Sequence, residues 1–219
     1  MFCPRRSKYL WLAGLLPCLA WAAMTEEEMF FKGVSEVNEG ELRFLSAPPA
    51  SPVHHHQNQI SLNTESLLSG WAKLAQCHHH LDPVPRMQIV YNQDRIRNLA
   101  ISRSENIGRS WVHENSVQMD QVARNALICI TADTQALEAA GKNTFVLTNG
   151  PYMRRFLDGY YPMQVSMRVN WDIPGFHFID ITPEVQTGLV FTQKANEVGF
   201  DAIFEGELRT RIRFSATPE

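Results

Sequence analysis

The chain has 219 residues, of which 44% are hydrophobic and 20% charged, and its formal net charge is −3. That length can bury one large core or two small ones, and the composition excludes a disordered or fibrous protein. The net acidity, with no basic stripe, excludes phosphate-neutralising partners, so neither nucleic acid nor an anionic lipid surface is expected.

Residues 1–22 read as a secretory signal peptide. Arg5, Arg6 and Lys8 precede an apolar run over residues 9–20, and Ala20-Trp21-Ala22 offers a small-x-small cleavage site. The run falls short of the ~20 residues that a membrane span needs, so the mature form is expected to carry no span. Export to the periplasm is the expected destination, with the extracellular space as the alternative. Losing the three cations takes the formal charge to about −6.

Residues 23–35 form a polar, acidic lead-in, and strand patterns begin at residues 41–45. A Pro-rich connector over 47–53 leads to the alternation of Ile60 and Leu62 with polar neighbours, the period of a half-buried strand. Residues 67–77 fit helical and strand spacing about equally, and Gly70 tips them toward a strand. Further strands are expected over 87–92, over 95–102 and, apolar on both faces, over 127–131. Residues 135–140 read as one helical turn and 152–157 as a short helix. Met163, Val165, Met167 and Val169 alternate cleanly, as do residues near Phe176 and between Ile203 and Phe214.

Short strands separated by turns predict a mainly β fold: an antiparallel β-sandwich, immunoglobulin-like or related, in two packed β domains. Asn149-Gly150-Pro151 is the strongest internal punctuation. It divides a β-sandwich domain over 36–148 from a smaller β domain over 150–219.

Two cysteines remain after the signal, Cys77 and Cys129, and in an oxidising compartment they are expected to form a disulfide. Six of the eight histidines lie in two triplets, residues 54–56 and 78–80. Imidazole is the commonest ligand of zinc and copper. In extended chain His54 and His56 share one face and His78 and His80 another, so these four are the expected ligands of copper or zinc, with Asp82 or Asn58 beside them. The residues between them must point the other way.

A second cluster, with Arg154, Arg155, Asp158 and Tyr160 among neighbouring aromatics, has the composition of a partner or interdomain contact, in which Asp158 would pair with a guanidinium. No catalytic motif stands out, so the expectation is a non-catalytic envelope protein that binds a transition metal. The alternative is an envelope interaction protein, with another envelope protein as its partner and no metal role.

Overall fold

The computed structural model describes residues 38–217. The expected signal peptide and the lead-in over 23–35 lie outside the described residues. Within them the chain runs β1 (Arg43–Phe44), β2 (His55–Asn63), helix α1 (Thr64–Ser69), β3 (Trp71–Leu81), β4 (Arg86–Val90), β5 (Ile96–His113), β6 (Ser116–Gln135), β7 (Leu137–Ala139) and β8 (Thr144–Tyr152). It continues through β9 (Arg155–Phe156), β10 (Gly159–Tyr160), β11 (Met163–Asp172), β12 (Phe176–Thr182), β13 (Leu189–Lys194), β14 (Glu197–Glu205) and β15 (Leu208–Ala216).

Two facing sheets take all the strands but β9 and β10, which pair with each other as a separate two-stranded sheet. A nine-stranded sheet runs β1-β14-β11-β2-β3-β6-β4, with β13 also on β14 and β5 also on β6; a four-stranded sheet runs β12-β15-β8-β7. Alternation puts Ile60 and Leu62, Val165 to Trp171 in steps of two, and Phe200 and Phe204 on the inner face of the large sheet, all buried. They meet Leu147, Leu208, Ile212 and Phe214 of the small sheet in one core. Trp171 stands edge-on to Phe214 across the interface, with ring centroids 5.4 Å apart.

The sandwich is therefore as expected, and its antiparallel, immunoglobulin-like character is corrected in one respect. β11 pairs with β2 in parallel, which makes the large sheet mixed. Nor do the described residues divide at Asn149-Gly150-Pro151. That tripeptide lies inside β8, strands from either side of it share the large sheet, and the described residues form one compact unit. The punctuation marks an irregular strand. Gly150 takes a φ of +98° with its missing Cβ only 2.6 Å from the Leu208 carbonyl oxygen, and the pairing with β15 shifts there.

Three local expectations change as well. Residues 67–77 split between α1, capped by Asn63, and β3. Residues 135–140 run from the end of β6 through β7, and residues 152–157 from the end of β8 into β9; both are extended where a helix was expected. Single helical turns of such length gain too few hydrogen bonds to resist a neighbouring sheet edge. Among the described residues no helix is long and apolar enough to cross a membrane.

Cys77 on β3 lies directly opposite Cys129 on β6, and the two form the expected disulfide. With a sequence separation of 52, the chain-entropy relation gives a stabilisation of about 4 kcal/mol. Replacing both cysteines by alanine should lower the unfolding free energy in urea by about that amount. A loss under about 1 kcal/mol would contradict the entropic role assigned to the bridge.

Candidate functional site

At one end of the sandwich the inner face turns from apolar to polar. Extending the β2 alternation backward from Leu62 and Ile60 gives Asn58 and then His56, both buried; extending β3 forward from Leu74 gives Gln76 and His78, both buried. His56 and His78 are register partners, as are Asn58 and Gln76. His54, one step beyond β2, joins them on the same face. These side chains form the floor of a cleft of about 680 Å³ whose walls include Met87, Ile89 and Tyr91 on one side and Asn149, Tyr152 and Met153 on the other.

The structure thus brings together three of the four expected ligands, His54, His56 and His78. His80 is not among them. It takes a left-handed φ of 54°, the β3–β6 register shifts between His79 and Leu81, and Leu81 occupies the inward position. One bulged residue reverses the alternation, which leaves His80 exposed. His55 and His79 lie on the outer face, where His55 Nε2 is 2.8 Å from Ser166 Oγ and His79 Nε2 is 3.0 Å from Gln57 Oε1.

A chain of hydrogen bonds fixes the inner cluster. The Tyr91 hydroxyl donates to Gln76 Oε1 at 2.6 Å, Gln76 Nε2 donates to Asn58 Oδ1 at 3.2 Å, and Asn58 Nδ2 donates to the Tyr152 hydroxyl at 2.8 Å. His78 Nε2 lies 3.3 Å from the same Gln76 Oε1. A carbonyl oxygen only accepts, so with the amides in this orientation His78 Nε2 must carry the proton. The neutral ring then has its lone pair on Nδ1, and this atom sits 3.0 Å from His54 Nε2, which donates to it.

All three imidazoles are held neutral. Burial pushes His54 down to about 4, where nearby Asp82 pulls it up and Arg154 pushes it further down. Burial, with His54 and His55 adding to it, takes His56 down to about 3, and burial holds His78 well below the ordinary range. The same desolvation raises the Tyr91 and Tyr152 hydroxyls, so both stay protonated donors.

His56 is the odd member. Its ring stacks on His78 with centroids 4.2 Å apart and planes 27° from parallel, and its buried Nε2 has no hydrogen-bond partner. The His54 plane is 2° from that of His56 and 29° from that of His78, so the lone pairs of all three rings lie in nearly parallel planes. Among the described residues no group of three or more His, Cys, Asp or Glu is arranged to hold a metal ion. His54 and His78 alone face each other nitrogen to nitrogen. Two nitrogens on one tetrahedral zinc lie about 3.3 Å apart, close to the separation seen here.

The second expected cluster sits beside this cleft with different pairings. Arg154 clamps Asp82 with two bonds, Nε to Oδ2 at 2.9 Å and Nη2 to Oδ1 at 2.6 Å, and lies between the Phe156 and Tyr161 rings. Asp82 is consequently occupied by a guanidinium. Asp158 accepts from the Tyr161 hydroxyl in place of the expected guanidinium. Arg155 lies over the Tyr160 ring, and the Tyr160 hydroxyl donates to Glu207. Gln76 was missed by sequence reasoning, although it stands two residues before His78 on the same strand face. Tyr91 and Tyr152 leave no local sign of their role.

No protein-family model matches the chain, and no curated protein matches it in sequence. Among solved structures it is similar to the M1 zinc metallopeptidase of Deinococcus radiodurans, at 9% identity over 82% of this chain and 43% of that one, with a TM-score of 0.40. A mutant of that enzyme bound to a Tyr-Ser-Ala substrate gives 11% identity over 74% of this chain and 42% of that one, with a TM-score of 0.39. The chain spans less than half the length of these structures, and at this level of likeness no activity passes from them to it.

The neutral histidines make stability depend on pH in a definite sense. Unfolded histidine titrates near 6.5, so below that value the unfolded chain binds protons that the folded one refuses. Their contribution is full above about pH 6.5 and is lost as pH falls through that value toward about 4 for His54 and about 3 for His56. In metal-free protein, urea unfolding should show His54 alone accounting for about 3 kcal/mol between pH 6.5 and 4. His54→Gln should flatten the slope by that amount. An unchanged slope in the variant would contradict the buried neutral imidazole.

Proposed function

We propose that this is a non-catalytic, exported protein of the cell envelope that binds one transition-metal ion, copper or zinc, at the floor of the cleft. The observation that carries this reading is the facing pair, His54 Nε2 and His78 Nδ1, 3.0 Å apart on two neutral rings. The His54 Nε2 proton holds these nitrogens together in the metal-free state, and once it shifts to Nδ1 of the same ring a metal ion can take its place with little change of spacing.

The surroundings support the exchange. Gln76 Oε1 accepts from His78 Nε2 and so fixes the tautomer that leaves Nδ1 free, the usual role of a carbonyl behind a metal-binding histidine. Desolvation adds to the drive, because neutral imidazoles bind metal without first losing a proton at neutral pH.

The test is a metal titration of the untagged protein by competition with a chromophoric chelator. One equivalent of copper or zinc should bind at micromolar concentration or below. His54→Ala or His78→Ala should weaken binding at least about tenfold, whereas His80→Ala should leave it unchanged. Failure to hold an equivalent of either metal at micromolar level would overturn the proposal, as would a loss on His80→Ala equal to that of His78→Ala.

A further inference from the structure

The residues around the facing pair favour one metal and one oxidation state. No aspartate or glutamate lines the cleft. The nearest carboxylate, Asp82, is spent on the two-pronged clamp from Arg154. A cation at His54 and His78 would therefore sit in a half-apolar cleft among neutral ligands, with its charge uncompensated. The cost of moving an ion out of water rises with the square of its charge, so a divalent ion costs about four times as much as a monovalent one of equal size.

The cleft also supplies a soft donor. Met163 opens β11 on its inner face and is 2% exposed. β11 runs parallel to β2 in the register Gln164 to His55 and Val165 to His56, and Gln164 N donates to the His54 carbonyl at 2.9 Å. Extending that register one step back sets Met163 beside His54, and Met163 lines the cleft. Met87 and Met153 line the same cleft. Thioethers are soft, uncharged ligands that select monovalent copper, and zinc has little use for them.

From the charge balance and this placement we infer that the bound ion is monovalent copper, held by His54, His78 and the Met163 thioether. The inference rests on the metal-binding reading above and adds the identity of the ion and a sulfur ligand to it. No electron transfer is involved: the ion enters and leaves in the reduced state, and the His54 proton passes from Nε2 to Nδ1 by exchange with solvent, so the ring stays neutral and no net proton is released.

The experiment is an oxygen-free competition of the full chain for monovalent copper against bicinchoninate, run beside a zinc competition. X-ray absorption at the copper edge of the loaded wild-type protein accompanies it. The expected results are a sulfur shell beside the nitrogen shell, copper binding weakened at least about tenfold in Met163→Leu, and zinc binding unchanged in that variant. Leucine conserves the volume of methionine and keeps the fold, and the absorption spectrum needs no variant. Copper bound through nitrogen alone, or Met163→Leu binding copper as the wild type does, would overturn the thioether assignment and leave the metal reading standing. No uptake of either metal would bring down that reading itself.

Discussion

The two-residue period of extended chain governs everything at this site. It sends His54, His56 and His78 into the sandwich and His55 and His79 to its outer surface, and it places Asn58 and Gln76 beside the inward rings, where Gln76 bonds both His78 and Asn58. The same period, running the other way along the same strands, makes the apolar core. The site and the core are thus one surface, the inner face of β2 and β3, with its chemistry changed at one end. A single bulge at His80 shows how sharply the period decides: one residue in left-handed conformation moves an imidazole from the cleft to solvent.

Polar side chains facing inward are costly unless paired, and here nearly all are paired with one another. Tyr91 just after β4, Gln76 on β3, Asn58 on β2 and Tyr152 on β8 are linked in turn, so the chain of hydrogen bonds ties the two sheets together where apolar packing gives out. Its direction has a chemical consequence. Because Gln76 Oε1 can only accept, the His78 lone pair is turned toward His54. A network that looks structural therefore presets a nitrogen ligand. The orphaned Nε2 of His56 stands apart from this network and is the group most in need of another partner.

The sandwich, the disulfide and the shared face of His54 and His56 were legible in the sequence, because each follows from alternation or from cysteine arithmetic; that His78 meets them depends on the β2–β3 register. His80 was not: nothing around it marks the bulge, which only the pairing with β6 imposes. The apparent boundary at Asn149-Gly150-Pro151 misled for a related reason. Residues that usually make a turn here make a distorted strand, since Gly150 alone can pass so close to the Leu208 carbonyl. The parallel pairing of β2 with β11 joins residues more than a hundred positions apart and leaves no trace in local patterns. That pairing brings Met163 beside His54. The partner of Asp82 was hidden in the same way, since Arg154 reaches it from 72 residues along the chain.

The most direct measurement is nitrogen NMR of the histidine rings in the metal-free protein near neutral pH, repeated after one equivalent of metal. The account predicts a neutral His78 with its proton on Nε2 and a bare Nδ1, and on loading a change at His54 and His78 with His80 untouched. A charged His78, or a proton found on Nδ1, would contradict the direction of the hydrogen-bond chain and with it the ligand that this chain presents.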